Sequence, residues 1–295
     1  MRWLLVLSLA ACASDVGSAP EPEPAIDLRQ GPTDSGDDGL PDVDRPVTQP
    51  VWTPAEVEQA IARALVEGLP DPWRMQEAYL DVLSNGDGAC PGHATYIDDT
   101  HLYGCEATTG WFYSGVSEYH QRDVTDEDGR WEGIEALGDF LFRSPSGDEM
   151  EVGGHARWRR YRDDSGNLTR MTTEHSGSWK WEGHEGWLTD TVSGLYTMDL
   201  QRGDAGGRIT LDGAAQVWSE ELFFEQLTLE EGDCAWAPVG ALRVRDPSGG
   251  WYRVDFGASC GPCGEATFAG EPAGSVCVDL SEVPARLDEQ LRELR

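Results

Sequence analysis

Apolar and polar residues change rhythm several times along this chain of 295 residues. Leu4-Leu5-Val6-Leu7-Ser8-Leu9-Ala10-Ala11 is a short, almost unbroken apolar run. From Ala13 to Gln49 no periodicity survives, and Pro, Asp, Glu, Ser and Gly dominate. Such a segment buries too little apolar surface to offset the entropy of ordering it, so residues 12–49 are expected to form a disordered, acidic, extended tether. The period then becomes helical. Thr53 is placed to cap a helix that has Pro54 in its first turn, and Val57, Ile61 and Leu65 recur at i, i+4 and i+8. Asp71-Pro72 repeats the start signal ahead of Met75, Tyr79 and Leu83, and Asn85-Gly86-Asp87-Gly88 ends it. Two short helices are therefore expected within residues 54–84.

Beyond Cys90 the period shortens to two. Strands are predicted near 111–119, 131–143, 149–161, 168–181, 187–200, 207–229, 236–245, 250–257, 264–269 and 274–280, separated by turn pairs such as Asp128-Gly129, Ser146-Gly147 and Gly206-Gly207. Val283, Leu287, Leu291 and Leu294 mark a closing amphipathic helix over 281–294. The expected fold is mainly β: a large antiparallel meander sheet, sandwich or barrel (β region 90–280), with two short N-terminal helices and a C-terminal helix, all in one domain over 50–295. The abundant glycine and tryptophan, 35 and 12 residues, agree with a turn-rich β protein.

Charge removes several functions. Against 54 acidic residues stand 22 basic ones, for a formal charge of −32. That field repels phosphate backbones, so nucleic acid is excluded as a partner. In the most basic stretch, Arg157-Trp158-Arg159-Arg160-Tyr161-Arg162, charges alternate across a strand and are expected to face acidic neighbours.

Met1-Arg2 before the apolar run, and small residues leading to Cys12, have the order of a secretion signal over residues 1–11. The run is too short to span a bilayer, which takes about 20 residues. Leu9-Ala10-Ala11-Cys12 resembles the lipobox of bacterial lipoproteins. The resemblance implies cleavage before Cys12, diacylglycerol on its thiol and acylation of the new N-terminus, hence a membrane partner reached through lipid. Ala13 after the cysteine implies sorting to the outer membrane, on its periplasmic face or at the cell surface.

Setting Cys12 aside leaves six cysteines, an even number that suits disulfides in an exported chain. Facing residues of an antiparallel hairpin lie symmetrically about its turn. The midpoint of Cys90 and Cys105 falls at Ile97-Asp98, that of Cys234 and Cys260 at Pro247, and that of Cys263 and Cys277 at Gly270, all on or beside turn residues. The expected bridges are therefore 90–105, 234–260 and 263–277.

Three motifs invite a catalytic reading. Cys260-Gly261-Pro262-Cys263 resembles a thioredoxin site, which would make the chain a thiol–disulfide redox protein. A strand-like pattern follows it, however, where a helix is needed, and the remaining chain is too short for that fold, so a structural clip is expected. Gly257-Ala258-Ser259-Cys260-Gly261 matches a nucleophile elbow, but the last histidine, His184, precedes it. His93, His101, His120, His155, His175 and His184 lack zinc-ligand spacing. Asp34 to Asp44 loosely resembles one calcium repeat, and a single copy is read as acidic linker. No catalytic residue, metal or cofactor is assigned. Trp179, Trp181 and Trp187 form the densest aromatic stretch and are candidates for stacking on a sugar or peptide; filling the core is the competing reading.

Cys90-Pro91, Gly104-Cys105, Gly110-Trp111, the meandering strands and the late Cys260-x-x-Cys263-Gly264 … Gly274-x-x-Cys277 unit resemble uncharacterised, myxobacterial-type cell-envelope lipoproteins of Gram-negative bacteria. The resemblance implies an envelope location and a disulfide-clipped β-meander, and no activity. The expectation is a membrane-anchored envelope protein with a binding or structural, non-enzymatic role toward a glycan or an envelope protein.

Overall fold

The computed structural model describes residues 49–67, 79–87, 90, 92–93, 99–126, 129–182, 191–203, 206–217, 219–257 and 260–294. Thirteen strands form one antiparallel sheet: β1 (Gly92–His93), β2 (Asp99–Glu106), β3 (Phe112–Asp126), β4 (Gly129–Arg143), β5 (Glu149–Arg162), β6 (Leu168–Glu182), β7 (Thr191–Gly203), β8 (Gly206–Val217), β9 (Glu220–Glu230), β10 (Pro238–Arg245), β11 (Trp251–Phe256), β12 (Cys263–Phe268) and β13 (Glu271–Cys277). Their spatial order is their chain order, with β1 and β13 at the two ends. The antiparallel meander was expected. Among the described residues it is an open sheet, not a sandwich or barrel.

The strand starting at 207 differs from expectation. It is two antiparallel strands, β8 and β9, with Val217 paired to Glu220. Between Val217 and Glu220 the one turn-favouring residue is Ser219, with no glycine, proline, asparagine or aspartate, so the turn signal is weak. Strand β2 was implied only by the hairpin expected between Cys90 and Cys105 and had no range of its own.

One face of the sheet is covered by helices and carries the core. Its rows run straight across the strands: Ile134, Trp158, Thr173, Met198, Leu211 and Leu227 are successive register partners. Two buried clusters lie on this face. The larger joins β6–β13 to helix α1 (Pro54–Ala62) through Val57 and Ile61, to the π-helical turn Arg63–Glu67 through Leu65, and to the C-terminal helices through Val283, Leu287, Leu291 and Leu294. The smaller joins Tyr113, Phe140, Phe142, Met150 and Trp158 to Tyr79 and Val82 of the helical residues 79–84, α2. Every stripe residue predicted on α1 and at the C-terminus is buried. Thr53 and Glu56 form the reciprocal capping box that starts α1. The C-terminal helix is interrupted, however, as α3 (Glu282–Arg286) and α4 (Asp288–Glu293). At the break Leu287 has φ −106° and ψ 17°, and its N–H turns to Pro284 O.

Glycines bend the sheet. Gly138, Gly154, Gly177 and Gly194 are successive partners across β4 to β7. Gly154 has φ +105°, and a Cβ there would lie 2.1 Å from Ser176 O; one on Gly177 would lie 2.0 Å from Gly153 O. Only glycine permits this backbone and this approach, which curves the strands round the helices.

The chain enters the fold through a strap. The buried Asp246 carboxylate accepts hydrogen bonds from the N–H groups of Val51 and Trp52, at 3.2 and 2.8 Å, and from Ser248 N–H at 2.8 Å. Tyr252 O–H donates to Trp52 O. Burial works to raise the Asp246 carboxyl, but the bonds from Ser248, Trp52 and Val51 outweigh it and hold the group below its ordinary value.

Candidate functional site

The face away from the helices is a ladder of arginine–carboxylate pairs, placed by the alternation of the strands. Arg157 bridges Glu135 on β4 and Glu174 on β6, and Arg159 reaches Glu174 at 3.3 Å. Arg162 pairs with Glu132 at 2.7 Å on the opposite, helix-side face, in line with Arg160 and Met171; the ladder itself continues along the outer face. Further along, Arg170 meets Asp199 at 2.8 Å and Arg208 meets Glu230 at 3.0 Å, while Glu225 is shared by Arg243 and Arg253 at 2.6 and 2.5 Å. The acidic neighbours expected for the basic run are thus present. Arg159 also covers the Trp131 ring at 4.8 Å and Arg170 the Tyr161 ring at 5.1 Å, so two aromatic rings on this face are buried beneath guanidinium groups.

The ladder opens into a groove of about 850 Å³ on β7–β10. Its cause is local. Gln226, with φ +51°, sits at the register shift between β8 and β9 and again at that between β9 and β10. Its N–H leaves the ladder and donates to Asp212 Oδ1 at 3.1 Å. The opposing Gly240 leaves no room for a side chain, since a Cβ would come within 2.4 Å of Gln226 O. This double bulge widens the surface between Asp199, Arg208, Glu225, Glu230 and Asp233. The groove holds carboxylates, amides and hydroxyls but no histidine or serine, and its cysteine, Cys234, is bridged. It therefore presents a dense set of carboxylates beside Arg208. The sequence did not reveal it, because a bulge at a glutamine carries no compositional signal.

The three bridges are those expected: Cys90–Cys105, Cys234–Cys260 and Cys263–Cys277. Cys263 and Cys277 are direct partners in the β12–β13 ladder. Cys234 and Cys260 lie beyond the open ends of the β10–β11 hairpin and tie together the segments that flank it. Cys260 and Cys263 thus have different partners, and the strand β12 follows the Cys-x-x-Cys motif directly. Both facts agree with a clip and not with a thioredoxin site. Ser259 of the elbow-like motif lies outside the described residues.

His155 and His175 occupy opposite faces. His155, at 3.5 Å from Glu135, is on the ladder side, and burial lowers its pKa ahead of the repulsion from Arg157. His175 is buried on the helix side, stacked on Tyr196 with ring centroids 5.4 Å apart, its Nε2 3.2 Å from Gly177 O. Among the described residues, no three His, Cys, Asp or Glu side chains gather as a metal site would need.

Trp187 lies outside the described residues, as do the side chains of Trp179 and Trp181. By backbone register, Trp179 pairs with Val152 and Val192, in the row that also holds the buried Phe140 and Val217, and Trp181 pairs with Met150. Cys12 and the residues around it lie outside the described residues too. Among the described residues no helix is long and apolar enough to cross a membrane. No family model, curated protein or solved structure matches this chain.

Proposed function

We propose that this chain is an exported lipoprotein, acylated on Cys12 and held at the outer membrane, whose charged sheet serves a binding or structural role in the envelope without catalysing a reaction. The observation that carries the reading is the cysteine balance. The six cysteines after Cys12 are all consumed in three bridges. Bridges of this number belong to an oxidising compartment, which requires export. Cys12 is then the one cysteine without a disulfide role, and it stands directly after an apolar run and two alanines. A ladder of paired charges around a polar groove, without a catalytic set in that groove, suits contact better than chemistry.

The test is metabolic labelling of the full chain with an alkyne fatty acid in a Gram-negative host, followed by detergent phase separation. The wild type is expected to carry label and to enter the detergent phase. Cys12→Ser is expected to lose both properties. Unlabelled wild type, or label retained by the variant, overturns the proposal.

A further inference from the structure

The two bridges at the C-terminal end of the sheet are in series. The segment Cys260-Gly261-Pro262-Cys263 carries one sulfur of each, Cys260 from the bridge to Cys234 and Cys263 from the bridge to Cys277. Both cysteines of the motif are solvent-exposed, and the chain bends at 260–262. Just before β12 and just after β13, Val278 N–H donates to Pro262 O at 2.8 Å. This bond continues the Cys263–Cys277 register by one pair and holds the motif beside the edge strand β13. A thiolate on Cys260 would thus be separated by only two residues from the disulfide it can attack, and so short a loop costs little entropy to close.

We infer that this pair of bridges is a disulfide relay: opening Cys234–Cys260 leads to a new Cys260–Cys263 bond and releases Cys277. In the first step a dithiol reductant of the envelope gives two electrons to the Cys234–Cys260 bond, becoming a disulfide itself and leaving two thiols. The Cys260 thiolate then attacks Cys263 Sγ. The S260–S263 bond forms, the S263–S277 bond breaks, and the electron pair leaves on Cys277, which takes up the proton that Cys260 gave up. The net change is one disulfide fewer, with free thiols at Cys234 and Cys277. The edge strand β13 thereby loses its only bridge to β12. The paired motif of the sequence is closed by this exchange, as a product and not as the resting state. The inference rests on the bridges alone and is independent of acylation at Cys12.

The second step can be isolated without a reductant. In the full chain carrying Cys234→Ser, produced in an oxidising compartment, Cys260 has no partner. After acid quenching, alkylation and peptide mapping without reduction, the alkyl label is expected to have shifted from Cys260 to Cys277, with Cys260–Cys263 bridged. In Cys260→Ser, which lacks the attacking thiol, label is expected on Cys234 with Cys263–Cys277 intact. Label on Cys260 in the first variant, or a dimer linked through Cys260, overturns the relay. The wild type treated with limiting dithiothreitol provides a check that does not depend on a variant folding. Its two-thiol species is expected to be labelled at Cys234 and Cys277. Labels at Cys234 and Cys260, with Cys263–Cys277 retained, overturn the relay.

Discussion

His175 lies at the seam between the two buried clusters, on the helix-side face of β6 next to the buried Thr173. Burial, and secondarily the charge of His155, lower its pKa to about 4 from an ordinary 6.5. A histidine whose folded pKa is depressed supports the fold fully above its unfolded value. As pH falls below 6.5 the unfolded chain takes up a proton that the folded one refuses, and the loss is complete once pH has passed about 4. The shift corresponds to about 3 kcal/mol across that window. Urea midpoints measured from pH 7 to pH 4 are expected to fall more steeply in wild type than in His175→Gln. Parallel curves would show that His175 is not buried in its neutral form.

At the scale of the element, curvature depends on glycines that sequence patterning treats as interruptions. Gly154→Ala is expected to cost about 3 kcal/mol, because its Cβ would meet backbone and not a movable side chain. Gly147→Ala, in the β4–β5 turn with φ +94° and nothing within 4 Å of the added Cβ, is expected to cost only about 1 kcal/mol. Chemical denaturation of the two variants checks the ratio, and equal losses would mean that the glycine row does not bend the sheet. The same contrast explains what was legible beforehand. Alternation located β4, β5 and β6, whose strand ends nearly match the predicted ones. Turn symmetry pointed to all three bridges, but only Cys263 and Cys277 face each other in a ladder; the β1–β2 and β10–β11 registers are each two positions away from the symmetry assumed for 90–105 and 234–260. The β8–β9 turn, the double bulge at Gln226 and the break at Leu287 were not legible. Each is fixed by what packs across the sheet rather than by its own residue type. The role of Asp246 was hidden for a similar reason: its turn was visible, but its partners Val51 and Trp52 lie 194–195 residues away in sequence.

At the scale of the molecule, each described strand pairs with its neighbours in the chain, and the two clusters are stapled separately. Cys90–Cys105 joins the smaller cluster, while Cys234–Cys260 and Cys263–Cys277 lie at the far end of the sheet. A bridge closing a loop of this size contributes about 3 kcal/mol. Replacing Cys90 and Cys105 by serine is therefore expected to speed amide exchange in β2–β5 and leave β9–β12 protected, as read by hydrogen-exchange mass spectrometry. Uniform loss of protection would show that the sheet unfolds as one unit.

The strap at Asp246 also determines how the fold experiences a load. If the chain is anchored through Cys12 as proposed, a pull along the segment after Cys12 would reach the strap at Val51 and Trp52, whose N–H groups are bound by a carboxylate on the β10–β11 turn. The tension is divided between that carboxylate and the Tyr252 hydroxyl bound to Trp52 O before it reaches α1. The force thus arrives near the doubly bridged end of the sheet and far from β1. Such a load would act on the β10–β11 end of the sheet before it reached the strands that the helical residues 79–84 cover.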